Sequence, residues 1–295
     1  MSQTSAATDA FVAHRNLLFT VAYEMLGSAA DAEDVLQETW LRWADVDLDE
    51  VRDPRAYLVR ITTRQSLNRI RSLSRRRESY VGPWLPEPLL TSPDVAEDVE
   101  LADSVSTAML LVLETLTPTE RAVFVLREVF DLPYDEIAAA VDKTPAAVRQ
   151  IAHRARGHVE SRRPREIVGS AERDAVIERF LAAAATGDLQ SLMDVLAPDV
   201  VLITDGGGVK QAALRPIHGA DKVLRWMEGV FARAPGAPSV ETTTVNGRAG
   251  LRMLLDDELD TIATMSIDHG VVTGLYFVRN PHKLERMDEE VRLAR

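Results

Sequence analysis

Two clusters of arginine are the first chemistry on offer. Between Arg60 and Arg77 stand Arg60, Arg64, Arg69, Arg71, Arg75, Arg76 and Arg77 with no acid among them, and a second block holds Arg149, Arg154, Arg156, Arg162, Arg163 and Arg165, diluted by Glu160. Guanidinium groups fork onto phosphate or guanine and displace counterions from nucleic acid, binding that a formal charge of −12 over the whole chain would otherwise oppose. A lone charge run is usually a solvated helix face, but two sign-pure blocks in an acidic chain point to a polyanionic partner. Asp205, His218, Asp268 and His269 supply a second chemistry, the carboxylate and imidazole bases of proton transfer. Asp205 and the Asp268-His269 pair adjoin glycine at turns, where aspartate is favoured for backbone reasons alone, and this argues against catalysis. Cysteine is absent, which excludes thiol nucleophiles, disulfides and cysteine metal sites, and no metal or cofactor is expected.

The elements that must position these residues fall into three stretches. In the first, Phe11, Leu17, Leu18, Val21, Ala22, Met25 and Leu26 form an apolar stripe that Gly27 can end, and Ser28 with Asp31 starts a second helix. Its apolar positions Ala32, Val35, Leu36, Thr39, Trp40 and Trp43 recur at helical steps, leaving Asp31, Glu33, Asp34, Gln37 and Glu38 on an acidic outer face. Asp45 to Arg52 reads as a loop, and Asp53 with Pro54 restarts a helix to about Leu73. Gly82, Pro83, Pro86, Pro88 and Pro93 then favour an extended linker, and within it Trp84-Leu85-Pro86-Glu87-Pro88-Leu89 is too apolar for a free tether, so it should dock. Helices resume near Val99. Thr117-Pro118-Thr119-Glu120 is a strong start signal, Asp131-Leu132-Pro133 a break, and Tyr134 to Ala140, a turn at Val141-Asp142-Lys143 and a helix capped by Thr144 have the cadence of a helix-turn-helix. In its last helix Val148, Ile151, Ala152 and Ala155 should face the core. That leaves Arg149, Gln150, His153, Arg154 and Arg156 outward, where a recognition helix carries its donors.

Beyond Glu166 the pattern becomes mixed. A helix from Glu172 to Ala185 closed by Gly187, another capped by Asp188, a strand at Val200 to Thr204 and a helix within Ile217 to Ala234 precede strands at Val240–Val245, Arg248–Leu255, Asp260–Ser266 and Val271–Arg279. Asn246-Gly247 and His269-Gly270 are hairpin signals. A chain of 295 residues therefore reads as several domains: two all-α domains, the second a helix-turn-helix, followed by an α+β domain with a curved antiparallel sheet folded over helices. The amino end has no signal-peptide pattern and no apolar run approaches the roughly 20 residues of a membrane span, so a soluble cytoplasmic protein with no membrane partner is expected.

With these residues assembled, the first 165 positions resemble the extracytoplasmic-function sigma factors of the sigma-70 family. Asp31 through Trp40 looks like the polymerase-binding helix of region 2, Pro54 to Leu58 with Asn68 to Arg71 like the helix that reads the −10 element, and Leu116 through Arg156 like region 4, which reads the −35 element. The remainder resembles the cone-shaped SnoaL-like (NTF2-like) domain of one subgroup. That match rests on Trp84 to Leu89, on Asp205-Gly206-Gly207-Gly208, and on Asn280-Pro281-His282-Lys283-Leu284, where His282 stands in place of an expected acid. The resemblance implies residues 9–78 for region 2, 79–98 for the linker, 99–165 for region 4 and 171–290 for the cone. It implies core RNA polymerase as partner of Asp34, Gln37, Glu38 and Trp40, and promoter DNA as partner of Arg60, Arg64, Asn68 and Arg71 at −10 and of Thr144, Arg149, Gln150, His153, Arg154 and Arg156 at −35. Which arginines read bases stays open. A separate anti-sigma factor is compatible with this reading but not required by it. The cone, with its Asp205-Gly206-Gly207-Gly208 motif, is expected to fold back on the linker and the two DNA-reading domains, with Trp84 to Leu89 and Asn280 to Leu284 near one another, and to modulate transcription. The rivals are a helix-turn-helix regulator whose cone binds a ligand, and a bifunctional protein with an enzymatic cone.

Overall fold

Local capping rules place most of the helices. The computed structural model describes residues 3–92, 95, 98–162, 170–186, 188–231 and 238–295. Pro93, Arg163, Arg165, Glu166, Gly187 and Ala234 lie outside these residues, as do the side chains of Arg75, Arg76 and Arg77. Two units divide the chain, one comprising residues 1–79, 91–163 and 291–295 and the other residues 80–90 and 164–290.

In the helical unit, α1 (Gln3–Leu26) ends where Gly27 turns left-handed at φ +66°, and α2 (Ala29–Ala44) starts with Ser28 accepting from the Asp31 amide. Leu18, Val21, Met25, Val35, Leu58 and Trp43 are buried where α1, α2 and α3 (Pro54–Glu78) pack together. The Asp53 carboxylate accepts from the Ala56 amide at the start of α3, and a 3₁₀ turn (Leu48–Glu50) interrupts the preceding loop. At 25 residues α3 runs past the expected Leu73 and spans about 37 Å at ~1.5 Å per residue. Arginine is a good helix former, so the basic run has no reason to stop it. Then follow α4 (Val99–Ser104), α5 (Thr107–Glu114) and α6 (Pro118–Phe124), the last opened by a complete Thr117–Glu120 capping box and continued by a π-helical turn (Val125–Val129). The helix-turn-helix is α7 (Tyr134–Val141) and α8 (Pro145–Glu160), with Asp142 supplying the left-handed turn at φ +56°. Val148, Ala152 and Ala155 are buried beneath α8 and Ile151 is half-buried. Helix α3 packs against α7, so both helical regions share one unit.

In the second unit α9 (Ser170–Thr186) and α10 (Leu189–Val195, capped by Asp188) precede the sheet. Its strands are β1 (Leu90–Thr91), β2 (Leu196–Asp205), β3 (Ile217–His218), β4 (Pro238–Val245), β5 (Arg248–Leu255), β6 (Glu258–Asp268), β7 (Val271–Val278) and β8 (Glu290–Val291). Helix α11 (Ala220–Phe231) lies between β3 and β4 in sequence, and α12 (Pro281–Leu284) follows β7. The strand order is β3-β2-β7-β6-β5-β4-β1-β8. An antiparallel meander was the expectation, and β4 to β7 form one, but β2 pairs parallel to β7. A parallel neighbour needs a long connection, which the segment containing α11 supplies. Val200, Leu202, Val223, Met227, Leu275 and Phe277 belong to the core between helices and sheet. None of the described helices is long and apolar enough to cross a membrane.

Candidate nucleic-acid interface and linker clamp

Helix α2 presents Asp34 and Gln37 outward, with Glu38 half-exposed beside them and Trp40 half-buried against Phe11, ring centroids 5.3 Å apart. The acidic face is not an open negative surface. Arg69 of α3 donates through Nε to Asp31 at 2.8 Å and through Nη2 to Asp34 at 2.6 Å, Arg15 pairs with Glu33 at 2.8 Å, and Arg42 lies 3.7 Å from Glu38. Burial works against the Arg69 cation, yet Asp31 and Asp34 outweigh it and push its pKa up. An exposed Leu41, 60% accessible and one turn beyond Glu38, also lies on this face, and no pattern in the sequence marks it.

On α3, Arg60 sits over the Tyr57 ring at 4.4 Å, Arg71 donates to the Asn68 side chain at 3.2 Å, and Arg64 donates to the Ala139 carbonyl of α7 at 2.9 Å. The Arg64 bond engages a nominated DNA ligand inside the helical unit. On α8, Thr144 caps the helix by accepting from the Ala147 amide, and Arg149, Gln150, His153 and Arg154 are exposed. The Arg149 guanidinium is 5.8 Å from the Tyr134 ring centre. Arg156 differs, because Nε and Nη2 both donate to Glu128, at 3.1 and 2.6 Å. An arginine held bidentate by a carboxylate is oriented for one phosphate at most.

The linker segment Tyr80–Leu90 belongs to the second unit, and the three cone motifs meet there. Asp205, buried at the end of β2, accepts from the Tyr80 hydroxyl at 2.6 Å, the Leu85 amide at 2.9 Å, the Gly207 amide at 3.0 Å and Lys283 Nζ at 2.8 Å. Lys283 also donates to the Leu85 carbonyl and stands 4.3 Å from the Trp84 ring centre. Asn280 donates to the Tyr80 hydroxyl at 2.9 Å and caps α12, in which Pro281 takes the first position and Leu284 is buried. Burial first, and the Asp205 carboxylate second, push the Tyr80 pKa well above its ordinary value. Leu85, Pro86, Glu87, Pro88 and Leu89 are buried, and the strap finishes as a strand: Leu89 and Asn246 exchange hydrogen bonds and Leu90 pairs with Val245. The glycines let the chain pass close by. Gly207 has φ +61°, and a Cβ there would run into the Asn280 amide, while one on Gly206 would meet the Lys210 carbonyl.

Tyr80, Lys210, Asp260 and Arg279 complete this clamp, and none of them belongs to the motifs that the sequence makes conspicuous. Lys210 and Arg279 both bind Asp260, at 2.8 and 2.9 Å, and Arg279 reaches the Gln211 carbonyl, pinning the glycine loop. An aspartate inside a strand is unfavourable unless paired, and that was the available signal. Among the candidate bases, Asp205 is saturated with donors, His218 is exposed on β3, and His269 is exposed with Nε2 3.6 Å from Asp268. His282 pairs with Glu285 on the surface.

Comparison with known proteins matches residues 10–76 to Sigma-70 region 2, residues 106–159 to Sigma-70 region 4 and residues 177–269 to the SnoaL-like domain. The chain is similar to the ECF RNA polymerase sigma factor SigJ of Mycobacterium tuberculosis, 37% identical over 92% of this chain and 91% of the relative. It is also similar to the probable ECF RNA polymerase sigma factor SigI of the same organism, 32% identical over 99% of both. The crystal structure of the M. tuberculosis extracytoplasmic function sigma factor SigJ superposes with a TM-score of 0.78 at 34% identity, covering 95% of this chain and 99% of that one.

Proposed function

Because this chain belongs to the extracytoplasmic-function sigma factors of RNA polymerase, we propose that it binds core polymerase through α2, reads the −10 element with α3 and the −35 element with α8, and has that activity modulated by its cone through the strap. It works with the polymerase in the cytoplasm, and a separate anti-sigma protein is not required. The observation that carries this reading is the pair of exposed donor faces in one chain: Arg64, Asn68 and Arg71 on α3, and Arg149, Gln150, His153 and Arg154 on α8. A helix-turn-helix regulator needs only the second face. The N-terminal turns of a recognition helix enter the major groove, so Arg149, Gln150 and His153 take the base edges and Arg154 and Arg156 the phosphates.

The cone acts as a regulator and not as an enzyme. A general base needs a free lone pair in reach of a substrate proton, and the Asp205 carboxylate already accepts four hydrogen bonds in a buried site. Transcription reconstituted from core polymerase, the full chain and the promoter of a neighbouring gene tests the proposal. Specific transcripts are expected, with Arg149→Ala and Asn68→Ala reducing promoter output more than core binding. Failure of the full chain to associate with core polymerase would sink it.

A further inference from the structure

Arg69 sits in the basic block of α3, but its helical phase separates it from the promoter-reading face. At about 100° per residue, Arg60, Arg64, Asn68 and Arg71 fall within about 80° of one another, and Arg69 lies about 100° from the nearest of them. Its guanidinium is turned to α2, with Nη2 2.7 Å from Asp31 Oδ1 and 2.6 Å from Asp34 Oδ2. Only 28% of the Arg69 side chain and 17% of the Asp31 side chain are accessible. Asp31 is itself held in place, its amide donating to Ser28 at the start of α2. A second polar contact between the same helices, Thr39 Oγ1 to Thr62 Oγ1 at 3.3 Å, is buried more than one turn away on each.

We propose that Arg69 is a positioning residue for promoter opening, a fork that locks the DNA-reading helix α3 to the polymerase-binding helix α2 and touches no DNA itself. This rests on the roles given to α2 and α3 above. The chemistry requires arginine, since one planar fork serves two carboxylates from one side, whereas a lysine ammonium is a point charge on a flexible stem. With α2 fixed on the polymerase, the angle of α3 decides where its donors meet the unpaired strand. Removing the fork at that joint loosens the site while every DNA ligand stays in place.

The test uses the full chain in holoenzyme with Arg69→Met, Arg69→Lys, Asp31→Asn and, for contrast, Arg71→Met, measuring core affinity, the salt dependence of promoter affinity, and open-complex yield at saturating core. For Arg69→Met core affinity should stay within about threefold and the salt slope should be unchanged, while open-complex formation falls about tenfold or more. Deleting one phosphate ligand on a single strand lowers that slope by about 0.7, the result expected for Arg71→Met. Arg69→Lys should fall between Arg69→Met and the unmodified chain. A merely structural residue would instead lower thermal stability, core binding and opening together. Should Arg69→Met fold poorly, Asp31→Asn cuts one arm of the fork and should give the same split at smaller amplitude. A salt slope reduced as in Arg71→Met would make Arg69 a phosphate ligand and overturn the proposal, as would undiminished opening. If the unmodified chain fails to bind core, the sigma reading itself is at fault, and that is seen before any substitution is compared.

Discussion

Replacing Glu24 by glutamine should make the helical unit more stable at neutral pH and remove much of its pH dependence. Glu24 is completely buried on α1, where Ser104 donates to Oε1 at 2.7 Å and Oε2 has no hydrogen-bond partner among the described residues. Arg121 is near, but its Nε donates to the Glu24 backbone carbonyl and its Nη1 is taken by Glu114. Burial therefore dominates, opposed by the Ser104 bond and the Arg121 charge, and the Glu24 pKa is raised from 4.5 to about 8. The folded chain then keeps a proton that the unfolded chain releases, so this residue's stabilisation is complete below pH 4.5 and is lost progressively as pH rises to about 8. At ~1.36 kcal/mol per pH unit, the loss between about pH 5.5 and 7.5 is about 2 to 3 kcal/mol. Urea unfolding of both proteins, followed by helical circular dichroism at the two pH values, isolates this site because every other carboxylate is common to both. The wild-type midpoint should fall relative to the variant by on the order of 1 M for a slope of ~2 kcal/mol/M. If the two proteins lost stability in parallel, or if the glutamine variant were the weaker at pH 7.5, Glu24 would be an ionised partner of Arg121 and this reasoning would be wrong.

Lys283→Met should cost the cone about 3 to 5 kcal/mol, the usual penalty for stranding one member of a buried ion pair, and should open the strap to chymotrypsin at Tyr80 and Trp84; a strap that stays protected would count against the clamp. Gly207→Ala combines a left-handed backbone with a clash against Asn280, so a thermal melt of the variant should report a loss of about 1 to 3 kcal/mol, and an unchanged melt would mean the loop moves aside freely. Thr117→Ala deletes the capping box at α6, and about 1 kcal/mol should disappear from the helical unit in urea titration; no shift would show that the cap adds nothing there.

Features encoded within a few residues were legible in the sequence. Ser28, Asp53, Thr117, Thr144 and Asp188 each mark a helix start because the cap and its amide partner lie within three positions of each other. Asn246-Gly247 and His269-Gly270 form hairpin turns with positive φ, but so do Asp256 and Asp257, a pair without glycine that carries no comparable signal. Pairing across distance could not be read. The parallel placement of β2 beside β7, the capture of Asp34 by Arg69 and the bond from Arg64 to Ala139 depend on how elements meet, and a pattern along one helix does not contain that. The clamp lies between these cases. Its motifs announced themselves by misplaced apolar residues and clustered glycines, whereas Tyr80, Lys210, Asp260 and Arg279 look like ordinary surface residues until their partners arrive.

The interleaving of the chain also governs the order in which the protein can be made. Three stretches of the helical unit alternate with two of the cone, so a ribosome crosses from one to the other four times. The strap is synthesised by residue 90, yet Asp205 and Lys283 emerge long afterwards. At roughly 5 to 20 residues per second, the ~190 residues between Leu90 and Lys283 take roughly 10 to 40 s. Throughout that interval the strap lacks the Lys283 ammonium that ties the Leu85 carbonyl to the Asp205 carboxylate in the finished cone.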